Sequence, residues 1–193
     1  MKQLAGGNWR IGIHIAAPGL GILPGSDIDT IARDRLSSIY YPGGKITMLP
    51  DAAISCFSLA ENRTCPALSL YVEATPDFEV LSAASRVERV NIAANLRHNA
   101  LEREFNERAL AAGAINHPHA RELRTLWEFA GRLGRARGQD DAEAEQRPEY
   151  NFCVENDRVT IVRRWRGTPI DKVVSELMIF ANCEWGRQLA ASG

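Results

Sequence analysis

The chain has 193 residues, with 23 Lys and Arg against 24 Asp and Glu and a net charge of −1. This excludes a molecule drawn as a whole to nucleic acid or to a membrane by charge, so any anion site is local. Hydrophobic residues (45%) and charged residues (24%) suit one sizeable globular domain or a piece of a larger one.

No apolar run approaches the ~18 residues that a spanning helix needs. The N-terminal "MKQLAGGNW" lacks the apolar core of a signal peptide, so a cytoplasmic location is expected. Residues 8–16, "NWRIGIHIA", alternate strictly: Trp9, Ile11, Ile13 and Ile15 face one way, and Arg10, Gly12, His14 and Ala16 the other. That predicts a strand with one buried face, and "AGG" before it predicts the turn of a hairpin whose first strand is very short or missing. Ser26 caps a predicted helix to about Ser38, with Asp27 and Asp29 in its first turn and Ile28, Ile31, Ala32 and Leu36 as its inner stripe. After the Tyr40-Tyr41-Pro42-Gly43-Gly44 turn, residues 54–60 ("ISCFSLA") and 66–74 ("PALSLYVEA") read as strands. Residues 75–78 read as a turn and 79–92 as a long returning strand.

Residues 95–113 read as one helix, and 118–138 as another, with Leu123, Leu126, Trp127, Ala130 and Leu133 at helical spacing. An acidic polar connector, "QDDAEAEQRPEY", leads to a hairpin over 150–165 that turns near Asn156-Asp157. The last helix starts at Thr168 as N-cap with Pro169 at its first position. Strands followed by helices, then strands and a helix, make the expected fold class α+β, with a mixed or antiparallel sheet and packed helices in one unit. Cys56, Cys65, Cys153 and Cys183 form no C-x-x-C pair and no zinc spacing, and are expected to be buried free thiols.

Three features carry chemistry. Tyr40 and Tyr41 stand on the lip of a turn, where an aromatic ring serves either packing or the stacking of a flat ligand. The helix "VVSELMIFANCEW" is apolar nearly all round and is expected to be buried on most sides, yet it carries Glu176 on one stripe with Phe180, Cys183 and Arg187. A carboxylate there is either paired with an arginine, with Arg97, Arg164 and Arg166 as candidates, or lines a ligand channel. Arg163, Arg164 and Arg166 flank Trp165, and guanidinium forks beside an aromatic suit either a solvated strand end or phosphate with a stacked base. His14 reads as structural, and His98, His117 and His119 have no partner at metal or nucleophile spacing. The residues alone suit a single-stranded nucleic acid site and supply no nucleophile or metal cage.

In order along the chain, "GIHIAAPGLGILPGSDIDTIARDRLSSIYYPGGKITMLPD", "CPALSLYVEA" and "RGTPIDKVVSELMIFANCEWGRQL" resemble the catalytic RNB domain of the ribonuclease II family. The resemblance runs from about Trp9 to the end and is weak between Phe105 and Pro148. It implies an RNB-like fold and a 3′→5′ exoribonuclease that degrades single-stranded RNA to nucleoside monophosphates with magnesium. It assigns Tyr40 to stacking near the 3′-terminal base, Tyr41 to packing, Glu176 to a place near the terminal nucleotide, and Arg163, Arg164 and Arg166 to a basic run.

There are departures from the family pattern. Ala17 stands where many members carry Asp. Glu143, Ala144 and Glu145 occupy the region of a second stacking ring. The family's magnesium-binding aspartates fall upstream of Gly6 and its arginine beyond the "SELM" helix. The resemblance therefore implies the central portion of an RNB domain, incomplete and without turnover of its own, with no metal ligands in this chain. The alternative is a non-catalytic single-stranded RNA-binding module. No membrane or protein partner is expected.

Overall fold

The computed structural model describes residues 1–139, 148–156 and 158–193, with the backbone alone for Asn99 and Glu155. Most of the acidic connector and positions 143–145 lie outside the described residues. The fold is α+β, and its sheets are antiparallel. Four strands form the main sheet in the order β1-β2-β5-β6: β1 (Lys2–Gln3), β2 (Trp9–Ala16), β5 (Thr64–Ala74) and β6 (Val80–Asn91). The very short first strand of the expected hairpin is thus β1. β2 pairs with β5 from Trp9↔Ala74 to Ala16↔Ala67, and β5 with β6 from Thr64↔Asn91 to Ala74↔Val80. Thr75 closes the β5–β6 turn, its hydroxyl accepting from the Glu79 N–H.

The alternation in β2 puts Ile11 and Ile13 on the buried face, beside Leu70 and Val72 of β5. Helices α5 (Ala120–Ala136) and α6 (Pro169–Ser192) cover that face, with Phe129, Leu133 and Ala181 in the same cluster. On their far side Leu101, Phe105, Leu123, Ala130 and Val173 form a second cluster. Each such large side chain taken fully from water stabilises the fold by about 1.5–3 kcal/mol.

Several expectations are corrected. Residues 54–60 are not a strand: α2 (Asp51–Phe57) occupies most of them. Pro50 stands before Asp51, and a carboxylate in the first turn suits the helix dipole. α1 (Asp27–Arg35) stops before Ser38 because Leu36 turns to φ 60°, and its apolar stripe is not buried; Leu36 is 82% exposed. The helix expected over 95–113 is two short ones, α3 (His98–Leu101) and α4 (Glu107–Ala112). Asn106 breaks it, because its side chain accepts from the Ala109 N–H and starts a new helix; Gly113 ends it in the left-handed region. Of the four free cysteines only Cys65 is buried. α6, apolar though it is, buries Pro169, Val173, Glu176 and Ala181 and leaves Val174, Met178 and Leu189 exposed.

The start of α6 is as expected and has a full capping box: the Thr168 side chain accepts from the Asp171 N–H, and the Asp171 carboxylate accepts from the Thr168 N–H. Thr168 also donates to Glu102 across to α3. Thr168→Ala is expected to cost about 1 kcal/mol, measured as a fall in urea midpoint at constant slope. An unchanged midpoint would mean that the cap carries no stability.

Candidate nucleic-acid interface

Two small hairpins stand apart from the main sheet: β3 (Ile39–Tyr41) with β4 (Gly44–Ile46), and β7 (Pro148–Glu155) with β8 (Arg158–Trp165). In the first, Tyr41 lies opposite Gly44 and Tyr40 opposite Lys45. Gly44 leaves room that the Tyr41 ring fills, since a Cβ on Gly44 would fall 2.5 Å from the Tyr41 hydroxyl oxygen. Tyr41 therefore folds across its own hairpin. Tyr40 has no such cover and is 77% exposed. Gly43, at φ 87°, makes the turn, and a Cβ there would sit 3.5 Å from Val154 Cγ2. The tyrosine hairpin thus rests on the β7–β8 ribbon.

The ribbon register sets Tyr150 opposite Arg163, Phe152 opposite Ile161 and Val154 opposite Val159, so these six share one face. The five apolar members of that face are all exposed. The three arginines of the sequence motif differ in surroundings. The Arg163 guanidinium lies 4.7 Å from the centre of the Trp165 ring. Arg166 pairs with Glu149 at 2.8 Å and stays largely in solvent.

Arg164 points the other way. Its side chain is 18% exposed and reaches Glu102 at 2.7 Å and Asp171 at 2.8 Å, with Glu149 at 3.5 Å. It also touches His98. His98 Nε2 itself lies 2.9 Å from Glu102 and 3.1 Å from Asp171. The expectation that His98 has no partner is therefore corrected: Glu102 follows it by four residues on the same turn, and the fold brings Asp171. Burial acts to raise the Asp171 carboxyl pKa, but hydrogen bonds from Arg164 and Thr168 outweigh it and hold it below the ordinary value. Among the described residues, His98, Glu102 and Asp171 are the one group with metal-donor geometry.

Glu176 is 4% exposed and is paired with an arginine, as one of the two readings required. The partner is Arg137, at 2.6 Å, and none of the three arginines expected for it. Arg137 is the C-cap of α5, and the packing of α5 on α6 delivers it. The other oxygen, Oε2, is buried and meets no donor among the described residues. Glu176 Cδ would lie 3.7 Å from a Cβ on Gly134, so that glycine leaves the carboxylate its space.

His14 hydrogen-bonds Ser69 at 2.7 Å through Nδ1, with Glu88 4.0 Å from the same nitrogen. A nucleophile relay needs serine and carboxylate on different ring nitrogens, so this is not one. Burial lowers the His14 pKa, and the Ser69 and Tyr71 hydroxyls hold the Glu88 carboxyl below its ordinary range. These groups stabilise the outer face of the sheet.

The RNB domain model matches residues 1–193. The chain belongs to the RNB domain family. It is 32% identical over 197 residues to Exoribonuclease 2 of Vibrio cholerae serotype O1 (strain M66-2), covering 97% of this chain and 28% of that protein. The chain thus spans little more than a quarter of the curated relative's length. Its fold is similar to that of the Dss1 exoribonuclease of Candida glabrata, solved as an active-site mutant, at TM-score 0.76 and 20% identity over 98% of this chain and 28% of that one. It is also similar to Mycoplasma genitalium RNase R in complex with ribose-methylated single-stranded RNA, at TM-score 0.69 and 15% identity over 90% and 27% of the two chains. No helix among the described residues is long and apolar enough to cross a membrane.

Proposed function

We propose that the protein to which this RNB chain belongs is a 3′→5′ exoribonuclease of the ribonuclease II type, hydrolysing single-stranded RNA to nucleoside monophosphates in the cytoplasm. This stretch supplies part of its RNA-binding surface. The observation that carries the reading is Tyr40, an uncovered ring on a tight hairpin within an RNB fold. A base stacks on such a ring whatever its identity, which suits an enzyme that degrades without regard to sequence. Arg163, close to Trp165, and the solvent-facing Arg166 supply charge for the RNA backbone; the Glu149–Arg166 pair is exposed enough to open. Arg164 positions this surface by tying β8 to α3 and α6. Glu176, paired with Arg137, holds α6 to α5.

Magnesium, in this reaction, activates water and stabilises the displaced oxygen. Among the described residues, the one donor cluster does not fit it. The donor group at His98 includes an imidazole, whereas magnesium takes oxygen ligands, and the guanidinium of Arg164 already lies against both carboxylates. We infer that this polypeptide by itself does not turn over RNA. The same donor set favours the second reading, a non-catalytic module that binds single-stranded RNA.

Tyr40→Ala is expected to weaken binding of a short single-stranded RNA by about 1–3 kcal/mol, read by fluorescence anisotropy. Tyr41→Ala is the control, since Tyr41 packs on Gly44. Equal affinity for Tyr40→Ala and the parent chain would remove Tyr40 from the site.

A further inference from the structure

The tyrosine hairpin has two unlike faces. Ile39, Tyr41, Gly44 and Ile46 belong to one, and Tyr40 and Lys45 to the other. Tyr40 and Lys45 are direct cross-strand partners, which sets their Cβ atoms about 4.5–5.5 Å apart. Both side chains are exposed. Lys45 is also the only charged residue from Leu36 to Pro50, so no acid on this stretch competes for its amine.

Many cations of the chain are committed. Arg10, Arg132 and Arg137 pair with carboxylates. Arg86, Arg121 and Lys172 lie over aromatic rings. Lys45 does neither among the described residues, and no described cation covers the Tyr40 ring. The hairpin therefore offers an open ring face with an uncommitted ammonium beside it. A base stacked on Tyr40 brings its phosphate to the rim of the ring. Lysine is a compact point charge on a flexible four-carbon stem, and from the facing strand it reaches that rim without a change of backbone.

We propose that Lys45 binds the phosphate of the nucleotide whose base stacks on Tyr40, so that one hairpin face holds one nucleotide at both ends. This rests on the reading of Tyr40 as an RNA-stacking ring. A phosphate contact carries no sequence information, which matches a ring that accepts any base.

The test is fluorescence anisotropy of the 193-residue chain with a 5′-fluorescein single-stranded oligouridylate, titrated at several salt concentrations. Each phosphate neutralised on a single strand adds a slope of about −0.7 to log affinity against log salt. Lys45→Met is expected to weaken binding and to lose that share of the slope. The parent's advantage then shrinks about two- to threefold between about 50 and about 200 mM salt. Lys45→Arg keeps the charge and is expected to keep the slope. Because ring and amine hold one nucleotide, Tyr40→Ala combined with Lys45→Met is expected to lose less than the two single losses together. Position 45 is exposed, so these variants are expected to keep the parent's far-UV spectrum. A Lys45→Met slope equal to the parent's, or single losses that simply add, would overturn the proposal. With Tyr40→Ala still weak, the stacking reading would stand without it. A Tyr40→Ala chain that binds as the parent does would remove the reading and the proposal together, as would a parent that does not bind this RNA.

Discussion

Arg137→Ala is expected to lower the stability of the chain by about 2–3 kcal/mol. Removing one member of a buried ion pair costs about 3–5 kcal/mol, because the charge left behind has no partner. The lower figure follows from the solvent that reaches the arginine, whose side chain is 36% exposed against 5% for Glu176. The carboxylate cannot follow Arg137 into water, since Gly134 and the packed faces of α5 and α6 enclose it. Replacing both groups, as Arg137→Met with Glu176→Leu, is expected to recover most of the loss. Urea denaturation checks this. An Arg137→Ala midpoint within error of the parent would mean that Glu176 is satisfied in another way.

Arg164→Met has the second large effect, about 2–4 kcal/mol at neutral pH, because Glu102, Asp171 and Glu149 then face one another without the guanidinium between them. The pH dependence follows from Asp171. Its folded pKa is depressed, so its contribution is complete above the unfolded value near pH 4 and is lost as pH falls through the folded value. In the variant the Arg164 hydrogen bonds are gone and burial remains, so the carboxyl moves up and protonation relieves the site. The gap between parent and variant is therefore expected to narrow from pH 7 to pH 3 in thermal melts. A gap that is constant over that range would assign the loss to packing of the Arg164 stem.

Local patterns account for much of the fold. β2 was legible from its alternation, α5 from Leu123, Leu126, Ala130 and Leu133, and the start of α6 from Thr168-Pro169. α2 was misread because "ISCFSLA" is a short apolar run, which periodicity alone cannot assign; Pro50-Asp51 before it was the helix-start signal. The break at Asn106 was likewise marked by a good N-cap residue inside a helical pattern. The Pro-Gly-Gly turn left packing and display open for both tyrosines; the family resemblance singled out Tyr40, which the hairpin leaves 77% exposed.

The ion pairs were not. Arg137 and Glu176 stand 39 positions apart, and packing of two helices joins them. Glu102 was within reach of His98 by the i,i+4 rule, but Asp171 and Arg164 come from other elements. Sequence spacing cannot report such a junction before the fold is known.

The most direct test is to incubate this chain with 5′-labelled single-stranded RNA and magnesium, following length on a gel and binding by titration in parallel. The account predicts binding that depends on Tyr40, with the RNA keeping its full length. Stepwise shortening from the 3′ end would contradict it by revealing metal ligands in these 193 residues. Absence of binding would contradict the RNA-binding surface itself.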